Sequence, residues 1–319
     1  MEFTSPAYPR DSALPELQVD DTTTAAWSPN TAYQRRPFAP HSEPHGYPVS
    51  TPSSAASNGV PPGLRRAQFT DDKGLPPARN SLAAISLTAN GLGIILGAAL
   101  HATVYLILTH NAIWRLPFFI SLLSLFHFLE FYITAAYNAR LATTSAFLLT
   151  SNGWTYHLAH TVAMAECLLA HTTPLSLPNL IARCLPRLGH LLPRHTHIIV
   201  LMLGLAMVAV GQTTRTLAMA QAGTNFNHTV QTRRSQDHQL VTHGVFARLR
   251  HPSYFGFFWW GLGTQAVLGN PVCFLLYALA LWSFFKPRIE REEEFLVRFF
   301  GKEYVEYRAR TPVGIPFIR

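Results

Sequence analysis

Hydrophobic residues are distributed unevenly along this chain, and the change comes at about residue 81. Residues 1–80 are rich in Pro, Ser, Thr, Asn and Ala and follow neither a helical nor a strand period. A segment of this composition buries too little apolar surface to fold, so it is predicted to form a disordered tail. It has no charged region followed directly by an apolar core, which argues against a signal peptide, and the first hydrophobic helix is expected to direct membrane insertion.

Six apolar segments follow the tail, and a helix that crosses a bilayer needs roughly 20 such residues. The first four predicted helices cover about residues 82–109, 116–137, 154–172 and 197–219. The last two, about 255–268 and 272–285, are short for a full crossing and are joined by Gly269-Asn270-Pro271, which favours a tight turn between helices. The pattern predicts an all-α integral membrane protein with about six transmembrane helices, including a C-terminal helical hairpin. Transmembrane helices 1–4 would then occupy residues 81–220, and the hairpin would belong to a C-terminal region over residues 221–319.

Two of the predicted helices carry unusual residues. The polar positions of the third helix are His157, His160, Glu166 and His171. Such side chains either form hydrogen bonds between helices or line a polar or substrate-filled groove. The two histidines at 157 and 160 lack the glutamate of a zinc-hydrolase helix, so no metal site is expected. The first helix carries Gly93 and Gly97, whose spacing is typical of a helix-packing face. A homodimer that packs through this face is one alternative.

The composition excludes an ordinary soluble protein. Charged residues make up 13% and hydrophobic residues 48% of the chain, whereas soluble domains carry about 25% charged residues. The net charge of +8 does not indicate nucleic-acid binding, because Lys and Arg lie scattered at the ends of apolar segments, where they orient helices and meet anionic lipid. Cys167, Cys184 and Cys273 share no metal-type spacing and are interpreted as buried thiols.

The positions of the basic residues predict the orientation. Arg65, Arg66, Lys73 and Arg79 precede the first helix, and Arg233, Arg234, Arg248 and Arg250 follow the fourth. Both groups lie in the cytosol if four helices separate them, and the hairpin then returns the C-terminus to the cytosol as well. The loop from Arg183 to Arg194 would be lumenal or, because it is amphipathic, would lie along the interface. The compartment inferred for this topology is the endoplasmic reticulum membrane.

The C-terminal region contains an ordered series of polar blocks around the hairpin. These blocks are Asn225–Gln231, His238–Phe246, Arg250–Gly256, Gly261–Gln265 and Arg288–Glu294. Over about 224–318 the chain closely resembles the isoprenylcysteine carboxyl methyltransferase family of integral membrane enzymes. The resemblance is looser through the preceding helices and does not include residues 1–80.

The resemblance implies transfer of a methyl group from S-adenosylmethionine to the C-terminal carboxylate of a farnesylated or geranylgeranylated cysteine. The acceptors would be CaaX-processed proteins such as small GTPases, and lipidated peptides, at the membrane lipid. The family's cofactor-binding positions correspond to Gln231, His238, Gln239, Leu240, Val241, Phe246, His251, Pro252, Ser253, Tyr254 and Glu292. Phe246 departs from the family pattern, which usually has tyrosine there. The family's residue at the position of Arg288 is assigned to the substrate carboxylate.

The chemistry of these residues fits that reaction. A C-terminal carboxylate has a pKa of about 3.5, so it is already a nucleophile at neutral pH and needs no general base. The protein's main task is positioning, and the guanidinium of Arg288 can hold a carboxylate through paired hydrogen bonds. The alternative for Arg288 is a snorkelling anchor at a helix end. Glu292 is the expected acceptor for the cofactor, and the alternative for the whole Glu290–Glu294 run is a solvated acidic helix start.

Three other functions stay open on the sequence. Sterol reductases and phospholipid methyltransferases share parts of this C-terminal architecture, and a non-catalytic membrane scaffold would need neither cofactor. NADPH binding would favour the reductase. A phospholipid N-methyltransferase needs an amine substrate, which Arg288 would repel.

Overall fold

The computed structural model describes residues 81–173, 196–236 and 238–319, and within these residues the regular structure is entirely helical. The described residues form seven α-helices, in order α1 Leu82–Leu108, α2 Arg115–Tyr137, α3 Trp154–Thr172, α4 Thr196–Ala222, α5 Pro252–Leu268, α6 Pro271–Phe300 and α7 Lys302–Arg310. The first four lie within three residues of the predicted bounds at either end, and α3 has the predicted bounds. The predicted disordered tail, the Arg183–Arg194 loop and Cys184 lie outside the described residues.

Four of the described segments are long and apolar enough to cross a membrane. They are Leu82–Leu108, Ala112–Tyr137, Thr196–Asn225 and Pro271–Phe300. The all-α membrane fold is therefore confirmed at this level. The polar helix α3 and the 17-residue helix α5 are not among the four.

The last long helix differs from the prediction. The second limb of the hairpin was expected to end near residue 285, but α6 continues for 30 residues to Phe300, with Pro287 inside it. The Glu290–Glu294 run therefore lies in the last third of a helix, and the interpretation of these glutamates as an acidic helix start is wrong. Arg288 and Glu292 are separated by four residues in the same helix, which brings their side chains to one face.

The turn between α5 and α6 is built by three specific contacts. Gly269 ends α5 with a φ of 75°, a conformation that favours glycine. The buried Asn270 amide donates to the Ala163 carbonyl of α3 at 2.8 Å. Glu166 of α3 accepts hydrogen bonds from the backbone N–H groups of Val272 at 2.9 Å and the next residue at 2.7 Å, which caps the start of α6. The two-residue connection is thus fixed to α3.

Glycines let α4 and α5 approach backbone to backbone. A Cβ added to Gly211 would lie 2.6 Å from the Gly256 carbonyl oxygen, and one added to Gly263 would lie 2.8 Å from the Gly204 carbonyl oxygen. Small residues at a helix crossing allow this close packing in membranes. By contrast, a Cβ on Gly97 of α1 would meet nothing within 4 Å. The predicted packing face in the first helix is therefore not used within the described residues.

The polar residues of α3 form hydrogen bonds between helices. His160 Nδ1 lies 2.6 Å from the Tyr277 hydroxyl of α6, and the Tyr156 hydroxyl lies 3.1 Å from His127 Nε2 of α2. Together with the Glu166 cap, these contacts favour the first of the two interpretations of this helix. Cys167 and Cys273 are free and buried, as expected.

Candidate active site

One cavity brings together most of the predicted cofactor residues. It lies between the end of α4, the segment that leads to α5, the start of α5, the last third of α6, and α7. Ten of the eleven predicted residues line it: His238, Gln239, Leu240, Val241, Phe246, His251, Pro252, Ser253, Tyr254 and Glu292. The eleventh, Gln231, lines an adjoining cavity that shares His238 and Glu292 with the first. The ten residues are spread over the 55 positions from His238 to Glu292 and thus meet in one cavity.

The segment between α4 and α5 is held in place by side chains of the neighbouring helices. Gly244 has a φ of 61°, and a Cβ there would collide with Gln221 of α4. The Gln221 side chain accepts a hydrogen bond from the Val245 N–H at 2.8 Å. The Gln239 N–H donates to the Asn225 side chain at 3.0 Å. These contacts hold the segment, which contains the short 3-10 helix Gly244–Ala247, in a defined position beside the cavity.

The Arg250-His251-Pro252 block is anchored to α6 by a buried carboxylate. Glu293, which is 6% exposed, accepts hydrogen bonds from Arg250 Nε at 2.5 Å and His251 Nε2 at 3.1 Å. Arg250 also donates to the Thr311 carbonyl at 2.7 Å and so holds the C-terminal segment. Pro252 occupies the first turn of α5, where its missing N–H costs nothing. Glu293 is therefore an anchor for the cavity wall, a role that the sequence did not indicate.

Arg288, Tyr254 and Glu292 form a continuous chain of hydrogen bonds. Arg288 Nε donates to the Tyr254 hydroxyl at 2.9 Å, and that hydroxyl donates to Glu292 Oε2 at 2.5 Å. Arg288 Nη2 donates to the His228 carbonyl, and the guanidinium lies 5.4 Å from the centre of the Tyr254 ring. Arg288 itself lines neither cavity, and these partners hold it against Tyr254 of the cavity wall.

The guanidinium of Arg288 keeps donors available for a ligand. It carries five N–H groups, and the described contacts use Nε and one N–H of Nη2. The outer edge formed by Nη1 and Nη2 can still donate two parallel hydrogen bonds to a carboxylate.

A buried ion pair lies below the cavity and was not predicted. Glu130 of α2 is 1% exposed and pairs with Arg215 of α4, which is 6% exposed. Arg215 Nη1 donates to the hydroxyl of Ser253 at 2.9 Å. The sequence predicted the fourth helix over about 197–219 but indicated no role for Arg215, which lies buried within α4. The sequence signal for this ion pair was one glutamate and one arginine, each inside an apolar segment, where an unpaired charge is costly.

The pKa values of two histidines, His228 and His238, are lowered. Burial lowers the pKa of His228 to about 4, and Glu130 opposes this effect while Arg215 and Arg288 add to it. Burial and, to a smaller extent, Arg234 lower the pKa of His238. Both imidazoles are therefore neutral at neutral pH. The His238 ring packs edge-on against the aromatic end of α6, so it presents a polar edge within an aromatic surrounding.

Further lining residues come from the ends of the helices. They are Ala222, Asn225, Phe226, Asn227, Arg250, Leu296, Phe300, Tyr304 and Tyr307. Tyr304 and Tyr307 are three residues apart on α7 and face the same side, a helical spacing that could have identified them. Burial raises the pKa of Tyr307 to about 12, and its hydroxyl donates to the Phe246 carbonyl at 2.7 Å. This hydrogen bond fixes the backbone of Phe246, which lines the cavity.

The lining fits the functional groups of S-adenosylmethionine. That molecule carries an ammonium and a ribose diol, which need acceptors, and an adenine, which needs apolar or aromatic surface. Glu292 supplies acceptors, and Asn225 Oδ1 can accept one more hydrogen bond beside that from the Gln239 N–H. Leu240 and Phe300 supply apolar surface.

Comparisons with known proteins point in the same direction. The sequence model of the isoprenylcysteine carboxyl methyltransferase (ICMT) family matches residues 202–298. The protein-S-isoprenylcysteine O-methyltransferase of Saccharomyces cerevisiae is 41% identical over 240 residues, which cover 75% of this chain and 93% of the yeast protein. The enzyme of the same name from Schizosaccharomyces pombe is 42% identical over 238 residues, which cover 75% of this chain and 96% of that protein. The solved structure of the eukaryotic intramembrane Ras methyltransferase ICMT aligns with a TM-score of 0.58 at 32% identity, covering 74% of this chain and 85% of that one.

Proposed function

Because this chain belongs to the isoprenylcysteine carboxyl methyltransferase family, we propose that its cavity binds S-adenosylmethionine and that Arg288 holds the C-terminal carboxylate of a prenylated cysteine. The reaction is methyl esterification of that carboxylate. The observation that carries the proposal is the convergence of ten predicted cofactor residues on one cavity, with Arg288 hydrogen-bonded to its wall.

The donor side is formed by the cavity lining. S-adenosylmethionine supplies an electrophilic methyl group on a sulfonium. Glu292 provides a negative charge near this cationic ligand, and the neutral His238 accepts or donates one hydrogen bond without adding a positive charge. Phe246 and Phe300 provide ring surface. Phe246 keeps the packing that a tyrosine would give but lacks a hydroxyl.

The acceptor side depends on Arg288. The carboxylate is ionised at neutral pH, so the enzyme orients it without removing a proton. The free outer edge of the guanidinium holds both carboxylate oxygens, and the Tyr254 hydroxyl fixes the angle of that edge relative to Glu292 in the donor cavity. Esterification removes the negative charge, so Arg288 binds the product less tightly than the substrate. This difference favours product release.

The membrane setting brings a lipid-soluble acceptor to a water-soluble donor. We infer six membrane-embedded helices, in which α3 and the α5–α6 hairpin join the four segments of sufficient length and hydropathy. Both termini would then be cytosolic, in the endoplasmic reticulum membrane, with transmembrane helices 1–4 within residues 81–220 and the catalytic region over 221–319. The prenyl chain enters laterally from the lipid, which avoids its transfer through water.

The test of this function is methyl transfer by the purified protein in lipid nanodiscs. We expect labelled methyl to pass from S-adenosylmethionine to N-acetyl-farnesylcysteine and not to the methyl ester of that compound. Arg288→Ala should abolish transfer, while Arg291→Ala, which changes an exposed arginine on the same helix, should leave it near the wild-type rate. Equal activity of the two variants would refute the role of Arg288. Thermal stabilisation by NADPH but not by S-adenosylhomocysteine would instead indicate a reductase.

A further inference from the structure

A carboxylate buried in α2 reaches both halves of the candidate site. Glu130 pairs with Arg215 through two of its guanidinium nitrogens, one of which lies 2.8 Å from Glu130 Oε2. Charged residues inside membrane helices are costly, and they mark functional positions by default. Neither Glu130 nor Arg215 lines the cavity. Any effect on the reaction must therefore pass through other residues.

The connection to the donor side runs through Ser253. Arg215 Nη1 donates to the Ser253 hydroxyl at 2.9 Å and to its carbonyl at 3.3 Å. Because Glu130 holds Nε and Nη2, the planar guanidinium has its orientation fixed and its remaining nitrogen is aimed at Ser253. The Phe126 and Phe257 rings lie 5.4 and 5.3 Å from the guanidinium carbon and restrict it further. Ser253 itself lines the donor cavity.

The connection to the acceptor side runs through His228. Glu130 Oε2 lies 3.8 Å from His228 Nε2, a close contact of a carboxylate with a neutral imidazole. The backbone carbonyl of His228 accepts a hydrogen bond from Arg288 Nη2. A displacement of His228 therefore moves the acceptor that orients the guanidinium of Arg288.

We propose that Glu130 is a positioning residue for the methyl transfer. It holds Arg215 against Ser253 on the donor side, and it packs against His228, whose carbonyl orients Arg288, on the acceptor side. This role rests on the function proposed above. It predicts that one change in α2, outside the cavity, weakens the binding of both substrates.

The test compares Glu130→Gln with Glu166→Gln. Glu166 is also a glutamate within an apolar helix bundle and caps α6 through two backbone N–H groups, but it lies on neither cavity. Both changes should lower the thermal midpoint. Only Glu130→Gln should raise the Kd for S-adenosylhomocysteine and the KM for N-acetyl-farnesylcysteine, each by roughly tenfold, which corresponds to about 1.4 kcal/mol. Glu166→Gln should leave both constants within about twofold of wild type, as expected for a change that affects stability alone.

A second measurement applies if Glu130→Gln does not fold. Glu130→Asp keeps the charge but shortens the side chain, so it draws Arg215 away from Ser253. In a double-mutant cycle with Ser253→Ala, the Kd for S-adenosylhomocysteine should be non-additive by at least about threefold. Additive effects would show that the two residues act independently and would overturn the positioning role.

The two proposals fail differently. A wild-type protein that neither binds S-adenosylhomocysteine nor transfers methyl would overturn the function itself. A wild-type protein that does both, together with a destabilised Glu130→Gln variant that retains the wild-type Kd and KM, would overturn only the role of Glu130.

Discussion

The Tyr254 hydroxyl connects Arg288 with Glu292, so its removal tests the arrangement directly. Tyr254→Phe deletes one hydrogen bond from the guanidinium, at 2.9 Å, and one to the carboxylate, at 2.5 Å. The phenylalanine ring retains the stacking on His251, with ring planes 6° apart, and the packing on Phe285. The change therefore isolates the hydroxyl from the aromatic surface.

The size of the effect follows from the two bonds. A hydrogen bond to a charged group contributes about 1.5–3 kcal/mol. Arg288 and Glu292 are both half-buried, so water replaces part of each lost bond, and the net cost is about that of one such hydrogen bond. A loss of about 1.5–3 kcal/mol in transition-state stabilisation lowers kcat/KM by about 10- to 150-fold. We expect most of this decrease in kcat. Arg288 keeps the charge that binds the carboxylate, but its guanidinium is no longer held in the orientation that the Tyr254 hydroxyl fixes.

The assay is initial-rate methyl transfer with each substrate varied in turn. Tyr307→Phe is the matched control, because it deletes a hydroxyl from the same cavity wall whose partner is the neutral Phe246 carbonyl. That variant should lose about 0.5–1.5 kcal/mol of stability with kcat unchanged. A kcat/KM for Tyr254→Phe within about threefold of wild type would refute the idea that the hydroxyl orients Arg288.

Two further predictions concern packing and pH. Gly211→Ala should destabilise the protein by about 1–3 kcal/mol, since its Cβ would lie 2.6 Å from the Gly256 carbonyl oxygen, whereas Gly97→Ala, with nothing within 4 Å, should leave the thermal midpoint unchanged. The pKa of His228 falls on folding from 6.5 to about 4, so the unfolded chain binds the extra proton between these values and stability falls as pH decreases. Between pH 7 and pH 5 this amounts to about 2 kcal/mol, and His228→Gln should remove that part of the pH dependence; an identical pH profile for the variant would contradict the shift.

The bounds of the early helices were predictable because long apolar runs have few alternatives in a membrane. The end of α6 was not, because its hydrophobic run stops near residue 285 while the helix continues as an amphipathic one. The signal was present in Ile289 and Leu296, which are seven residues apart and therefore lie on one face. Of these two, Ile289 is buried in the core.

The roles of several neighbouring or similar residues became distinct only in the three-dimensional structure. Glu292 and Glu293 differ by about 100° around the helix. The family resemblance had indicated Glu292 for the cavity, and only the structure shows that Glu293 is the buried partner of Arg250 and His251. Gly97 and Gly211 look alike in sequence, yet only Gly211 meets another backbone. The pairing of Glu130 with Arg215 joins residues 85 positions apart, which a single sequence does not reveal.

Helix α6 gives the lipid bilayer a direct mechanical connection to the chemistry. Its 30 residues span about 45 Å, more than the roughly 30 Å of a hydrocarbon core. Its start is fixed to α3 by Glu166, whereas its other end carries Arg288 and Glu292. Only the part of the helix up to about residue 285 is apolar, and a change of tilt is one way in which such a helix accommodates a thicker or thinner bilayer. With its start fixed, a change of tilt displaces the end that carries Arg288. We therefore expect the turnover rate to depend on the acyl-chain length of the surrounding lipid, so that membrane thickness itself acts as a regulator of this enzyme.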